Sequence, residues 1–240
     1  MKKIKAVLFD MGGTLIDYTP PESFLVSCRA YGRRNNIKWL SEEVFDKIEM
    51  KEYKAREDAK FWRREFSLWK VFSSELAIIC RKIGEFEKLM EDFYRYYSVN
   101  CGGAEIYQDA LPTLSQLKEM NLYIGLVSNT CFPSKMHLWD LERFGLLRFF
   151  SHTLFSIDIG YRKPSIEIYC RALENNHIEP NETIFIGDQL DKDVYGPLSL
   201  GMGGILIDRF NSVDYQALLG TAEYSVINTL EILPKILEKI

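Results

Sequence analysis

The stretch Ile4-Lys5-Ala6-Val7-Leu8-Phe9-Asp10-Met11-Gly12-Gly13-Thr14-Leu15 decides the fold. Ala6 to Phe9 is a short unbroken apolar run, the pattern of a strand buried on both faces of a parallel sheet. It stops at Asp10, and the two glycines that follow let the backbone turn sharply. Open α/β sheets place their chemistry at such a point, where a carboxylate ends a central strand. Asp and Gly also end strands and build turns for purely structural reasons. Three further segments bear on the choice.

Leu122 to Val127 is a second strand-like run, and it ends in Ser128-Asn129-Thr130. Gly160-Tyr161-Arg162-Lys163-Pro164 is a basic turn whose Pro164 and Ser165 suit a helix start. Thr183 to Ile186 is β-branched and aromatic, and leads into Gly187-Asp188 and on to Asp193. An Asp, a Ser, a Lys and an Asp pair therefore stand at or just past predicted strand ends or in a loop. A parallel sheet gathers such ends on one edge. Singly, Ser128 reads as a helix cap, Lys163 as a solvated charge and the Asp193 region as an acidic helix start. All four in this order argue against a structural role alone.

The four segments, Asp10-Met11-Gly12-Gly13-Thr14-Leu15, Ser128-Asn129, Lys163-Pro164 and Gly187-Asp188 with Asp193, resemble the motifs of the haloacid dehalogenase superfamily of phosphohydrolases. The resemblance implies a Mg²⁺-dependent hydrolase of small phosphate esters. Asp10 would be the nucleophile that forms an aspartyl-phosphate. Asp10, the Gly12 carbonyl and Asp188 would hold the ion, a hard cation that prefers oxygen. Ser128, the Asn129 backbone and Lys163 would bind the phosphate. Asp193 and Thr14 would support these groups from behind, Asp193 by orienting a water of the ion or by holding Lys163.

The chain departs from the pattern at one place. Most phosphatases of the family carry a second Asp two residues after the first, and here that residue is Gly12. Its carbonyl remains for the metal, but the acid that would protonate the leaving group is gone. General acid–base assistance is typically worth about 10²–10⁴-fold. Either another acid fills in, with Asp17 or a carboxylate of the helical cap nearest in sequence, or turnover is slow. A slow enzyme should handle aryl phosphates better than alkyl phosphates. Two other readings stay open: a 2-haloacid dehalogenase, which works without a metal, and a phosphate- or metal-binding module that no longer catalyses.

The 240 residues, 47% hydrophobic and 27% charged, suit one α/β core with an insertion. The net charge of -4 argues against a nucleic-acid binder that relies on a basic field. No apolar run reaches the length of a membrane span, and the run after Met1-Lys2-Lys3 reads as a strand, not a signal peptide. Cys28, Cys80, Cys101, Cys131 and Cys170 form no CxxC pair, which suits a reducing cytoplasm and gives no zinc site. Cys131 reads as packing. His137, His152 and His177 are dispersed, and the Gly-x-Ser-x-Gly elbow of a serine hydrolase is missing. Oligomeric state leaves no signal.

Residues 1–16 and 104–240 alternate strand and helix, which predicts a doubly wound, Rossmann-like parallel sheet. Helical patterns cover Ala110 to Met120, Ser134 to Phe144, Ser165 to Asn175, Leu190 to Leu200 and Thr229 to Ile240. Residues 17–103 differ. Pro20-Pro21 and Gly102-Gly103 punctuate that region, and apolar residues recur at helical spacing (Phe24, Cys28, Tyr31; Val44, Phe45, Ile48; Leu68, Phe72, Leu76, Ile79). About four helices, forming a cap over the strand ends, are expected there. Its aromatic stripe, from Trp39 and Tyr53 through Phe61, Trp62, Phe66, Trp69 and Phe72, reads as core. Its bases are balanced by acids, with Arg63 and Arg64 kept as candidates for substrate contact.

Overall fold

Ala6–Phe9 forms β1, and every residue of it is buried. The computed structural model describes residues 3–18, 23–37, 40–76, 83–174, 178–210 and 224–239. After β1 come β2 (Ile16–Asp17) and four helices, α1 (Phe24–Arg34), α2 (Glu42–Trp62), α3 (Leu68–Leu76) and α4 (Ile83–Asn100). The chain continues through β3 (Glu105–Ile106), α5 (Ala110–Glu119), β4 (Tyr123–Ser128), α6 (Ser134–Arg143), β5 (His152–Phe155), α7 (Ser156–Ile159) and α8 (Ile166–Leu173). It ends with β6 (Thr183–Gly187), β7 (Gly203–Ile207), β8 (Ser225–Ile227) and a last helix, Leu233–Leu237.

Six strands make one parallel sheet in the order β5-β4-β1-β6-β7-β8. The chain fills one side of β1 first and the other side afterwards, so strand order reverses at β1. The crevice past the carboxyl end of that strand is where doubly wound sheets bind ligands. Alternation along β1 feeds two cores. Val7 and Phe9 join Ile124, Leu126, Ile184 and Ile186 on one face, while Leu8 meets Val127, Phe185, Ile168 and Tyr169 on the other.

The four helices between β2 and β3 have a core of their own. Phe45, Ile48, Leu68, Phe72, Phe86, Met90 and Phe93 pack there, with Cys131 from the loop after β4. Ser23 and Ser41 cap α1 and α2, their hydroxyls accepting from Val26 and Val44 N–H. The helices leave the sheet through β2 and return through β3, which pair antiparallel as a two-stranded ribbon. No helix among the described residues is long and apolar enough to cross a membrane.

The expected elements stand, with local corrections. The Leu190 to Leu200 segment opens as a wide π-type turn, Leu190–Tyr195, before a single turn at Gly196–Leu198. That turn directs Asp193 inward. A Cβ on Gly187 would lie 2.2 Å from the Asp193 Cγ, so only glycine admits this approach. α8 begins at Ile166, with Ser165 as N-cap and Pro164 in the preceding turn after a cis bond. The last helix starts late, after a 3₁₀ turn at Leu230–Ile232, with Pro234 in its first turn. The aromatic stripe divides. Phe66, Trp69 and Phe72 join the helical core, but Tyr53, Phe61 and Trp62 are exposed on α2. Pro20, Pro21, Trp39, Ile79, Cys80, Asn175, His177 and Ile240 lie outside the described residues.

Candidate active site

Asp10 follows β1 directly, and its N–H donates to Ile186 O of β6 at 2.8 Å. That bond continues the β1–β6 register, and the parallel pairing of β1 with β4 on the other side brings up the end of that strand, so Ser128 and Asp188 flank it. The loop after Asp10 is tight: Leu15 and Ile16 N–H both donate to Met11 O, and Gly13 N–H to Ile16 O. Gly13 has φ +72°, and a Cβ there would sit 2.4 Å from Asp188 Oδ2. The second glycine therefore gives both the left-handed turn and the room for the carboxylate.

Lys163 reaches this edge from the turn before α8. Its Nζ donates to Asp10 Oδ1 and to Asp193 Oδ1, each at 2.7 Å, and its side chain is 1% exposed. Burial opposes the ammonium, but the two carboxylates outweigh it and raise the Lys163 pKa. Asp193 also accepts from Gln189 N–H at 3.0 Å, so both of its oxygens are occupied. Asn129 braces the same turn: its side chain accepts from Lys163 N–H at 2.8 Å and donates to Lys163 O at 3.0 Å. The Asn129 side chain is thus spent on Lys163, and its backbone remains for a ligand. Ser128 is 3% exposed and lines the same cavity.

Asp188 is the exception in this set. Its Oδ1 is buried with no hydrogen-bond partner among the described residues. Burial first, then the charges of Asp10 and Asp193, push its pKa up to about 7. Burial raises Asp193 as well, with Lys163 opposing. Oxygens of Asp10, Asp188 and Asp193 lie within 4.8 Å of one another. At an effective dielectric of ~20, two like charges that close repel by on the order of 3 kcal/mol. Three carboxylates and one ammonium leave an excess of two negative charges, which one divalent cation would cancel. An all-oxygen set with one orphaned oxygen fits a hard ion such as Mg²⁺.

The site opens into a cavity of about 450 Å³ that Asp10, Gly12, Ser128, Asn129, Lys163, Asp188 and Asp193 all line. Thr14 does not line it. It is fully buried, its carbonyl accepting from Arg209. Arg63 and Arg64 also stay away from it: Arg63 is the left-handed C-cap of α2, and Arg64 stacks on Tyr161 at 3.8 Å. The helical segment instead contributes Arg56 and Glu65. Asp17, one candidate substitute acid, is not in the lining.

Sequence reasoning passed over a buried polar network beside the cavity. Asp140, fully buried, accepts from Tyr18 OH at 3.1 Å, Tyr94 OH at 2.6 Å, Ser98 OH at 2.7 Å and Arg143 at 3.1 Å. His137 joins it, with Nδ1 3.1 Å from Tyr94 Oη and Nε2 2.6 Å from Thr130 Oγ1. Because Tyr94 donates to Asp140, its oxygen accepts from Nδ1–H, and Nε2 accepts from Thr130. Burial lowers the His137 pKa to about 4, which keeps the ring neutral. On its other side, Thr130 N–H donates to Ser156 Oγ at 2.8 Å, whose hydroxyl donates to Glu65 Oε2 at 2.6 Å. Cys131 remains a thiol, its pKa raised by burial to about 12. An Asp three residues after a His on one helix was the available signal. Arg143 follows one turn later on that helix, but the Tyr94 and Ser98 donors lie 42 or more residues away in sequence.

Comparison with known proteins agrees with this geometry. The chain is 30% identical over 222 residues to the glyceraldehyde 3-phosphate phosphatase of Methanopyrus kandleri, covering 86% of this chain and 84% of the relative. It is 27% identical to the phosphoglycolate phosphatase of Shigella boydii, over 77% and 74% of the two chains. A phosphatase structure from Thermococcus onnurineus superposes with a TM-score of 0.59 at 26% identity, covering 98% of each chain. A 2-haloacid dehalogenase from Pseudomonas syringae reaches 0.70 at 22% identity, over 98% and 99%, a likeness of fold. The family profile of haloacid dehalogenase-like hydrolases matches residues 4–201. With Asp10, Ser128, Lys163 and Asp188 converging at the end of β1, the chain is a member of the haloacid dehalogenase-like hydrolases.

Proposed function

We propose that the protein is a Mg²⁺-dependent phosphohydrolase that cleaves a small phosphate ester through an aspartyl-phosphate on Asp10. The observation that carries the reading is the unbalanced carboxylate cluster around a single buried ammonium. Bound Mg²⁺, held by Asp10, the Gly12 carbonyl and Asp188, would neutralise the phosphate and polarise it for attack. Lys163 adds a second positive charge and fixes the Asp10 carboxylate in one orientation. Asp193 keeps Lys163 in place. Ser128 and the Asn129 backbone would donate to phosphate oxygens. Asp10 Oδ would then bond to phosphorus as the ester P–O bond breaks, and water would hydrolyse the acyl phosphate.

In this reading residues 1–16 and 104–240 form the catalytic core and residues 17–103 a helical cap. The separate core of α1–α4 and the β2–β3 ribbon support that division. The free cysteines Cys28, Cys101, Cys131 and Cys170 suit a reducing, cytoplasmic setting. A metal-free dehalogenase site would leave two negative charges uncompensated in a buried cluster, which weighs against that alternative.

The test is a panel of phosphate esters assayed with Mg²⁺ and with chelator, beside the Asp10→Asn variant. Phosphate release that needs both the ion and Asp10 is expected. Halide release from a 2-haloacid in the presence of chelator would replace the proposal with the dehalogenase.

A further inference from the structure

The cavity has two unlike parts. Around Asp10 it is ionic, while the rest of its wall carries five aromatic rings: Tyr18, Phe66, Tyr94, Tyr97 and Phe132. These rings are already held in place. Phe132 meets Phe24 edge-on at 4.9 Å and Tyr94 at 5.2 Å, and Tyr97 meets Phe24 at 5.4 Å. A wall fixed by such contacts loses little freedom when a flat ring binds against it.

The cations of the lining are already engaged. Arg56 pairs with Glu52 at 2.5 Å and Arg162 with Glu65 at 3.6 Å. Lys163 lies between Asp10 and Asp193, and Lys192 donates to Gln189 within the turn that carries Asp188 and Asp193. A second phosphate or a carboxylate on the substrate would therefore meet arginines that carboxylates already neutralise.

Several polar groups of the lining are committed elsewhere. Gly12 has no side chain to offer. Glu65 accepts with both oxygens, from Ser156 OH at 2.6 Å and Phe66 N–H at 3.1 Å. Tyr18 and Tyr94 donate their hydroxyl protons to Asp140, and both nitrogens of His137 are engaged. Neither Gly12 nor Glu65, the one carboxyl-bearing residue that the helical segment adds to the lining, then supplies an acid to the leaving oxygen, and a good leaving group is favoured. A phenol-like oxygen ionises with a pKa of about 10, whereas an alkoxide is a far stronger base and leaves far less readily.

Resting on the phosphohydrolase reading above, we propose that the substrate is an aryl phosphate, the monophosphate ester of a phenol-type hydroxyl with no second anionic group. Asp10 Oδ bonds to phosphorus while the P–O bond to the aryl oxygen breaks. The electron pair leaves on the phenoxide, which takes its proton from solvent. Water then cleaves the aspartyl-phosphate, releasing inorganic phosphate and restoring Asp10.

Phenyl phosphate and benzyl phosphate make the test, because both present a ring and they differ in the oxygen that leaves. With the full chain and Mg²⁺, kcat/KM, which reads the step that breaks the ester P–O bond before the shared hydrolysis of the aspartyl-phosphate, should be about 100-fold or more higher for phenyl phosphate than for benzyl phosphate. Phosphoglycolate, with its second anion and no ring, should fall below both in kcat/KM. Phe132→Ala should raise KM for phenyl phosphate about tenfold. If that variant does not fold, Tyr97→Leu at the half-buried wall reads the same loss. A kcat/KM for benzyl phosphate or phosphoglycolate equal to that for phenyl phosphate would overturn the substrate class. Such a result would leave the phosphohydrolase reading standing, provided that turnover still needs Mg²⁺ and Asp10. If no ester is hydrolysed with those two requirements, the underlying reading fails instead.

Discussion

Asp109 and Asp188 are both withdrawn from water, yet the fold treats them in opposite ways. Asp109 accepts from both terminal nitrogens of Arg209, at 2.9 and 3.0 Å, and from the Thr229 hydroxyl and Leu230 N–H at 2.9 Å. Burial works against its charge, but these donors hold its pKa below the usual carboxylate range. Asp188 has an oxygen with no partner among the described residues and a pKa pushed up to about 7. A carboxylate whose needs are met inside the chain stabilises the fold. One whose needs are left open is set up for something the chain does not supply. Burial and residue type alone do not separate the two; the count of donors does.

Exchanging each carboxylate for its amide gives the strongest break in this contrast. Asp188→Asn should lower Mg²⁺-dependent turnover by about 10³-fold, since it removes an ion ligand worth several kcal/mol in the transition state. It should also raise the metal-free Tm by about 2–6 °C, because a repelled charge disappears. Asp109→Asn should do the reverse. Losing one partner of a buried pair costs about 3–5 kcal/mol, a Tm drop of about 6–15 °C, with little change in turnover per folded molecule. Calorimetry beside steady-state kinetics reads both. Equal loss of activity in the two variants would erase the distinction.

Gly12→Asp sharpens the contrast by adding an acid where none is supplied. A Cβ there would lie 3.4 Å from Tyr18 Cδ2, an ordinary contact, and the backbone is not left-handed. Benzyl phosphate turnover should rise about tenfold or more, and phenyl phosphate much less. An unchanged ratio in the kinetic assay would mean that the new carboxyl misses the leaving oxygen.

Titration separates the pair more gently. Asp188 holds its proton more tightly folded than unfolded, so between its ordinary value of 3.8 and about 7 the native state binds the extra proton. Metal-free stability should therefore fall as pH rises through that window. Asp109 runs the other way: its contribution is present above the unfolded value and is lost as pH drops through its lowered folded value. Mg²⁺ at 100 times its Kd should add about 2.7 kcal/mol. That gain should be larger at pH 8 than at pH 5.5, where the proton competes for Asp188. Differential scanning calorimetry at the two pH values checks this. The smallest effect is expected on the outer surface of α2. Lys60→Ala removes the exposed pair with Glu57 and should shift stability by less than about 0.5 kcal/mol in a urea melt.

Much of this was legible in the chain because strand ends announce themselves. Apolar runs that stop at Asp10, Ser128 and Asp188 report both the sheet and its reactive edge, and parallel pairing does the rest. The helical segment was legible as helices but not as a surface. Hydrophobic period alone could not say that Tyr53 and Trp62 face water while Phe66 lines the cavity, since those outcomes depend on tertiary docking. The Asp140 network was hidden for the same reason. Arg143 stands one turn from Asp140 on α6, but Tyr18, Tyr94 and Ser98 come from elsewhere in the chain, and no local spacing joins them to it. Glu65 and Arg56 replaced Arg63 and Arg64 as the residues facing the ligand space because α2 ends at Trp62, and the chain beyond it folds back along Gly160 to Arg162.

Thr130 carries one last consequence. Its amide is held through Ser156 by Glu65 and its hydroxyl through His137 by Tyr94. Both ultimate holders belong to the enclosing helical region, and Ser128 stands only two residues upstream. A guest too bulky for the ring-lined recess that forced α4 outward would drag this tether and pull the hydroxyl donor out of aim. Misfit would then be registered as lost speed more than as weakened grip, so the selectivity of such a molecule is best sought in its turnover numbers.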